Sequence, residues 1–392
     1  MLVNLQKLID LEQVEVGDGY RTKSDQLGVT GIPILRVADV HNGKLLPSYK
    51  DLIKEEYLSK INKKLSQQDD VVITTKGTVG RIAQIPKEFP THAYSPQVCY
   101  LRSLDQKVID SDWLYYWARS REFTRQAEKY LGQTDMAPYI SLSDLRSFEL
   151  ELPDIETQLK IVSSIKPLEE LLSANERVIN QVRYLSQNVF QYLVSFSNEK
   201  IQLKDLASIS PSRESKPTNT EIFYIQIGDV SDGSVEVPEP MNWLDAPASA
   251  RLSVIPGDII WSRVRPNRRS HAYLVDPAPN TIVTTGMTVI RAVNAPSSYL
   301  FAATDSIQFS EYLARHADGT TYPTVDDSTF MNAEIPWVGE QRALTFHSIM
   351  MPLWELTEKL RLENSRLTRS ISTLSPQLFA GHIYVENSSG HL

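Results

Sequence analysis

Short apolar runs bounded by Gly, Pro, Asn and Asp fill two stretches of this chain, and long runs with helical spacing fill two others. In the first stretch, residues 34–40, 71–75, 81–85 and 98–102 read as strands separated by turn-forming residues. Residues 112–119 (Asp-Trp-Leu-Tyr-Tyr-Trp-Ala-Arg) follow, and with Phe123, Ala127 and Leu131 their spacing predicts one amphipathic helix ending at Gly132. In the second stretch, residues 222–227, 258–262, 271–275 and 287–291 read as strands, and residues 299–317 as a helix closed near Gly319. The signals repeat in order about 190 residues apart. Residues 31–43 (Gly-Ile-Pro-Ile-Leu-Arg-Val-Ala-Asp-Val-His-Asn-Gly) match 222–233 (Ile-Phe-Tyr-Ile-Gln-Ile-Gly-Asp-Val-Ser-Asp-Gly). Asp70-Val71-Val72-Ile73 matches Asp258-Ile259-Ile260-Trp261, and Leu152-Pro153 matches Ile335-Pro336. A repeat of this length sets the architecture.

The expected fold class is α+β: two mixed α/β globular domains, at 1–152 and 199–336, alternating with two long helices at 153–198 and 337–385, and a tail at 386–392. In the first helical run, Leu168, Asn175, Val182, Val189 and Phe196 occupy successive heptad a positions, and Leu171, Val178, Leu185 and Tyr192 occupy d. The second repeats the a positions as Leu353, Leu360, Leu367 and Leu374. Its d stripe starts at Leu356 and then drifts, with Asn364, Ile371 and Leu378 one residue beyond the expected places. A polar Asn175 at an a position fixes register at some cost in stability. Helices of roughly 40 residues span about 60 Å. Two matched helices in one chain supply each other's partner, so the expectation is an intramolecular coiled-coil pair; a homodimeric coiled coil and a buried core helix are the alternatives. On this seam, a charge at Leu185 should break the pair.

Composition narrows the classes. The chain has 392 residues, 41% apolar and 22% charged, and a formal net charge of −8. No run approaches the roughly 18 apolar residues of a membrane span, so no membrane association is expected. The N-terminus lacks a basic region followed by an apolar one, which argues against a signal peptide. Cys99 is the single cysteine, excluding an intrachain disulfide and a thiolate-rich metal site. A cytoplasmic protein is expected.

Catalytic motifs are absent: no P-loop, no His-Glu-x-x-His, no Gly-x-Ser-x-Gly, no Asn-Pro-Pro-Tyr or Asp-Pro-Pro-Tyr. Pro153-Asp154 with Glu156 and Lys160 weakly resembles a nuclease metal site but opens a helix, where acidic residues are favoured electrostatically. No catalytic residue and no metal site are assigned, and the chain is not expected to be an enzyme itself. The binding chemistry lies in loops. Thr74, Thr75, Lys76, Thr78 and Arg81 surround a small-residue turn suited to close approach of a phosphate. The matching place in the second domain holds Ser262, Arg263, Arg265, Asn267, Arg268 and Arg269, with four arginines in seven residues. Arginine binds phosphate or the guanine O6 and N7 edge through two hydrogen bonds, and asparagine suits adenine. A third repeated place, residues 132–141 against 319–325, adds Gln133, Thr134, Thr320, Thr321 and Tyr322.

These features resemble the specificity (S) subunit of type I restriction–modification systems. The resemblance rests on Leu5-x-x-Leu8 and Leu203-x-x-Leu206, the Ile34-Leu35-Arg36-Val37-x-Asp39-Val40 run, the 70–81 and 132–141 blocks, and Leu152-Pro153 followed by Gln158 and its helix. It covers nearly the whole chain. It implies that each domain is a target recognition domain reading one half of a split double-stranded DNA sequence, with a pseudo-two-fold internal repeat. It implies two antiparallel coiled-coil helices that separate the domains and dock two methyltransferase (M) subunits, and restriction (R) subunits in a full complex. S-adenosylmethionine, ATP and magnesium would belong to those partners, and adenine methylation and ATP-dependent cleavage to the assembly, in a bacterial or archaeal cytoplasm. The dissimilar loops imply an asymmetric target. A coiled-coil adaptor with two protein-binding domains and a divergent nucleic-acid enzyme are the competing readings.

Overall fold

The computed structural model describes residues 1–131, 138–209 and 221–380. The chain divides into two compact units. Met1–Glu170 with the described part of Arg369–Leu392 forms one, and Leu171–Thr368 the other. Each unit thus holds one globular domain and a portion of both long helices.

In the first unit an antiparallel sheet runs in the order Val14–Asp18, Val98–Ser103, Val71–Thr74, Ile82–Gln84. A second sheet is ordered Ala93–Tyr94, Ile32–Leu35, Leu52–Ile53, Leu27–Gly28, its first pair parallel. Leu2–Asn4 pairs antiparallel with Glu149–Glu151, closing the domain's two ends on each other. The second unit repeats the plan. Its first sheet is ordered Ala207–Ile209, Met287–Ala292, Asp258–Ser262, His271–Leu274. Lys200–Gln202 pairs with Glu334–Pro336. Its second sheet keeps the parallel pair, Glu221–Ile225 with Thr281–Thr284, but the pair is central there rather than at the edge, because Ala250–Ser253 joins on the far side of Thr281–Thr284.

One buried ion pair recurs in both first sheets. Asp70 is fully buried and takes two hydrogen bonds from Arg102, at 2.6 and 2.7 Å, and one from the Tyr94 hydroxyl at 2.6 Å. Asp258, also fully buried, takes two from Arg291 at 2.8 and 2.7 Å. The repeated Asp-Val-Val-Ile and Asp-Ile-Ile-Trp runs therefore begin with a carboxylate that must be paired across the sheet, because an unpaired buried charge is costly.

Two sequence expectations change. The 34–40 and 222–227 runs do not continue as strands. Each stops, at Leu35 and Ile225, and turns through one 3-10 turn, Val37–Asp39 and Ile227–Asp229. The Asp39 carboxylate accepts from the Arg36 amide at 2.7 Å, and Asp229 from Gln226 at 3.0 Å, which offers the backbone an alternative to the ladder. The single helices expected at 112–131 and 299–317 are each two: Ser111–Ala118 with Arg121–Leu131, and Ser297–Thr304 with Ile307–Arg315. Ser120 and Ser306 start the second member of each pair, their hydroxyls accepting from Phe123 at 3.3 Å and Phe309 at 3.2 Å. Helical spacing of the apolar residues on both sides conceals such a break.

The long helices are Ile155–Val194 and Glu340–Phe379, 40 residues each, so about 60 Å long. Asp154 caps the first: its carboxylate accepts from the Thr157 amide at 2.8 Å, and these bonds hold it below its usual range. Gln158, fully buried, ties this helix to the domain by accepting from the Asp110 amide and donating to the Val108 carbonyl, both at 2.9 Å. Pro167 and Pro352 stand at matching places, each just before an a-position leucine.

The a positions within the helices face inward as the heptad predicts, whereas of the d positions in the first helix only Val178 is half-buried. Leu168, Asn175, Val182 and Val189 are buried or half-buried, as are Leu172, Ile179, Ser186 and Leu193, four residues beyond each. Leu171, Leu185 and Tyr192 are 41%, 45% and 65% exposed, and Phe196 lies beyond the helix and exposed. The second helix follows the same rule. Leu353, Leu360, Leu367 and Leu374 share the stripe with Thr357, Asn364, Ile371 and Leu378, while Leu356 is exposed. The seam is thus a and the residue four beyond it, in both helices, and Leu171, Leu185 and Leu356 lie off it. Adjacent apolar pairs at 171–172 and 178–179 fit either choice, and Ser186 tilts the pattern toward Leu185. Within the second unit the helices run antiparallel: Asn175 donates to Asn364 at 2.9 Å and Glu363 at 2.7 Å, while Phe190 packs edge-on against Phe346. A polar pair in an otherwise apolar seam specifies register.

Leu185→Glu should leave the urea melt of the chain within about 0.5 kcal/mol of wild type, as for an ordinary surface change. Val182→Glu should cost roughly 3–5 kcal/mol by burying a charge. Equal losses for the two variants would restore the a/d seam.

Candidate nucleic-acid interface

In each domain the structure joins two of the loops singled out from the sequence. In the first, Ile140 donates to the Thr75 carbonyl at 2.9 Å and Lys76 bridges to Tyr139. In the second, Val325 donates to the Arg263 carbonyl at 2.9 Å and Val264 bridges to Thr324. The pairing is the same in both domains, so two loops distant in sequence form one composite edge beyond the central sheet.

The side chains on that edge fall into two groups. In the first domain, Thr74 and Thr75 are buried and face inward, not outward as expected. Thr74 Oγ1 donates to the Thr78 carbonyl at 2.6 Å and accepts from the Arg81 amide at 2.9 Å, closing a turn in which Gly77 and Gly80 both have φ of +87°. That left-handed geometry is what the two glycines provide. Thr75 donates to the Gln97 carbonyl at 3.2 Å. Arg81 is half-buried and donates to the Val40 carbonyl at 3.2 Å. Lys76 and Thr78 are exposed, beside Tyr139 and Gln97, which are also exposed and which the sequence reading did not single out. Gln133 and Thr134 lie outside the described residues.

In the second domain, Ser262 is buried, its hydroxyl donating to the Val264 carbonyl at 2.8 Å. Arg263 pairs with Asp327 and donates to the Met287 carbonyl at 3.2 Å. Arg269 donates to Asp305 at 2.9 Å and to the carbonyls of Asp305 and Ser306 at 3.1 and 3.0 Å. These three expected contact residues are internal anchors. Asn267, Arg268, Thr320, Thr321 and Tyr322 are exposed, and Arg265 is half-buried with its guanidinium 4.4 Å over the Tyr322 ring. Arg265 and Arg269 have φ of +50° and +56°, a left-handed conformation that costs a non-glycine residue roughly 1–2 kcal/mol. The loop is therefore held by its ends and strained between them.

The anchor at Arg269 belongs to a larger network that no motif announced. Asp305, 2% exposed, sits at the break between the two short helices and accepts from Arg183 at 2.5 and 2.9 Å, from Gln187 at 2.8 Å and from Arg269. Its carboxylate also lies 2.8 Å from His271 Nε2. Arg183 further donates to Asp232 at 2.5 Å. A Cβ at Gly233 would lie 2.3 Å from the Arg183 guanidinium, and φ there is +74°, so the turn of Gly233 makes room for this pair. His271 stacks on Trp261 at 4.1 Å. Burial alone would raise the Asp305 carboxyl, yet hydrogen bonds from His271 and Arg183 hold it well below the usual carboxylate range. Arg183 and Gln187 belong to the first long helix, so this network fastens the loop to that helix. The signal for it was present as unlike residues: a charged Arg183 amid a coiled-coil run and an Asp interrupting an apolar helix.

Among the described residues, Asp232, His271 and Asp305 are the one group with spacing for a metal ion, but two arginines already neutralise both carboxylates. Cys99 is buried, and burial pushes its thiol up to about 11, which disfavours the thiolate. No described helix is long and apolar enough to cross a membrane.

Residues 4–184 match the family described as type I restriction modification DNA specificity domain. The type I restriction enzyme MjaVIII specificity subunit of Methanocaldococcus jannaschii is 24% identical over 202 residues, covering 50% of this chain and 46% of that protein. The EcoBI specificity subunit of Escherichia coli is 21% identical over 197 residues, 50% of this chain and 39% of that one. The match thus spans less than half the length of either relative. Among solved structures, the type I restriction–modification S subunit from M. genitalium superimposes with a TM-score of 0.60 at 16% identity, covering 97% of this chain and 96% of its own. The two-domain, two-helix fold is shared.

Asp305→Asn should cost about 3–5 kcal/mol at neutral pH, since it leaves buried arginines underpaired. A carboxylate held below its ordinary value contributes stability that is complete above about pH 4 and is lost as the pH falls further. The gap between the urea melts of wild type and Asp305→Asn should therefore be widest near pH 7 and narrow toward pH 2. A gap independent of pH would show that Asp305 is not the ionised centre of the network.

Proposed function

We propose that this chain, whose residues 4–184 match the type I restriction modification DNA specificity domain, is the DNA-recognition subunit of such a system. Each α+β domain reads one half of a split, asymmetric duplex sequence. The observation that carries this reading is the composite loop edge, built twice from the same backbone pairings and presenting different side chains: Lys76, Thr78 and Tyr139 in one domain, Arg265, Asn267, Arg268 and Tyr322 in the other. A common frame with unlike exposed groups suits two readers of unlike half-sites. Phosphate contacts hold register on DNA and base-edge contacts select sequence.

The subunit itself is non-catalytic in this reading. Two methyltransferase subunits dock on the long helices, where Leu171, Tyr184, Leu185 and Tyr192 form an exposed apolar face. Those subunits bring S-adenosylmethionine and methylate adenine; restriction subunits, where present, bring ATP- and magnesium-dependent cleavage. The assembly works in a bacterial or archaeal cytoplasm. The partners supply much of the positive charge that a chain of net charge −8 lacks.

Methylome sequencing of cells expressing this chain with its methyltransferase partner should reveal one two-part motif, adenine-methylated, with unread bases between unlike halves. The isolated chain should bind duplexes of that sequence far more weakly than the complex does. Absence of any two-part motif, or tight sequence-specific binding by the chain alone, would refute the proposal.

A further inference from the structure

The arginines of the 263–269 loop are not equivalent. Arg269 commits all its nitrogens to Asp232, Asp305 and main-chain carbonyls, and Arg263 commits Nε and Nη2 to the Met287 carbonyl and Asp327, so both are held by the fold. Arg268 is exposed and makes no side-chain hydrogen bond among the described residues. Arg265 differs from all three. Its main chain is left-handed although Pro266 follows, and the residue before a proline prefers extended backbone. The fold imposes this conformation through the Arg265 amide, which donates to the Pro323 carbonyl at 2.8 Å on the neighbouring loop. Its guanidinium lies 4.4 Å from the centre of the Tyr322 ring, itself 63% exposed. Among the described residues the one polar contact of its side chain is a long 3.4 Å approach of Nη2 to the Thr321 carbonyl, which leaves most of the donor fork uncommitted.

A phosphate accepts hydrogen bonds from many directions and needs a positive charge within reach, which the unconstrained Arg268 supplies. A base edge is more demanding: both donors must lie in the plane of the base pair. Stacking on an aromatic ring fixes the plane of a guanidinium and reduces the freedom lost on binding. Strain at the main chain and a ring beneath the side chain are the features of a group whose orientation matters.

Resting on the reading of the second domain as a DNA reader, we propose that Arg265 recognises guanine through its O6 and N7 edge and that Tyr322 is its positioning residue. The half-site read by residues 199–336 therefore contains a G·C pair facing Arg265. Arg268 contacts the sugar–phosphate backbone alongside it.

The test is selection from a pool of randomised duplexes by the complex of full-length chain and methyltransferase subunits, with wild type, Arg265→Ala, Arg265→Lys, Tyr322→Leu and Arg268→Ala. Wild type should select a two-part sequence. Arg265→Ala should lose preference at one G·C position of one half, a discrimination of roughly 10- to 100-fold falling to near unity, with the other half selected as before. Retention of the other half shows that the chain is folded and assembled. Arg265→Lys should keep most of the affinity yet lose most of the discrimination, because lysine lacks the planar fork. Tyr322→Leu should weaken preference at that same position. Arg268→Ala should lower affinity evenly across sequences and flatten the salt dependence. An even loss for Arg265→Ala, an unaltered motif, or lysine restoring full discrimination would overturn the guanine assignment while leaving the specificity-subunit reading intact. A wild-type complex that selects no two-part sequence would overturn both.

Discussion

Each long helix has to serve two neighbours with one circumference. A stripe at the a positions and the residues four beyond them is inward-facing in both helices, and the remaining flanks carry contacts to a globular domain. In the first unit Ile161, Val162 and Ile165 enter the core that contains Trp113 and Phe148; in the second, Phe190, Phe346 and Trp354 enter the core around Tyr299 and Phe301. The helices are therefore not a linker with independent domains attached. Their burial is part of each domain's own core, which is why each compact unit includes pieces of both. At roughly 1.5–3 kcal/mol for each large apolar side chain fully buried, these shared contacts are a substantial part of what holds a unit together.

How far the sequence reveals this depends on whether neighbouring positions compete. The duplication was legible because repeated pieces such as Asp70-Val71-Val72-Ile73 and Asp258-Ile259-Ile260-Trp261 combine turn chemistry with apolar pattern. The a positions were legible for the same reason: Leu168, Val182, Leu353 and Leu367 have no equal competitor in their heptads. The flanking stripe was not, because Leu171 and Leu172 satisfy a period near 3.5 equally well, and only the three-dimensional partner decides between them. Helix interruptions at Ser120 and Ser306 were hidden by apolar residues on both sides. The loops were located by their composition, but composition cannot distinguish an arginine that holds the protein from one left for a ligand. Arg263 and Arg269 look like Arg265 and Arg268 until Asp327 and Asp305, far away in sequence, are placed beside them.

The two domains make their composite edges by one rule, a main-chain bond between the turn after the Asp strand and the segment after the short helices. Main-chain bonds tolerate almost any side chain, so the frame persists where the sequence has changed. Lys76 with Tyr139 and Val264 with Thr324 occupy corresponding bridges with no chemical likeness. The electrostatics of the two edges differ accordingly. The first exposes one lysine with Thr78, Gln97 and Tyr139, and the second exposes Arg268 and Tyr322 with the half-buried Arg265 between main chain and ring.

The anchoring of the 263–269 loop at both ends has a consequence for how such a surface can change over time. Arg263 and Arg269 are secured by internal partners, and the five residues between them meet the rest of the domain chiefly through main-chain bonds and the packing of Pro266. Asn267 and Arg268 are exposed and can change without disturbing the ion pair of Arg269, so on the proposed reading what is recognised can alter while stability stays nearly constant. On the proposed reading, separating the groups that fold from the groups that read lets such a surface change one loop at a time.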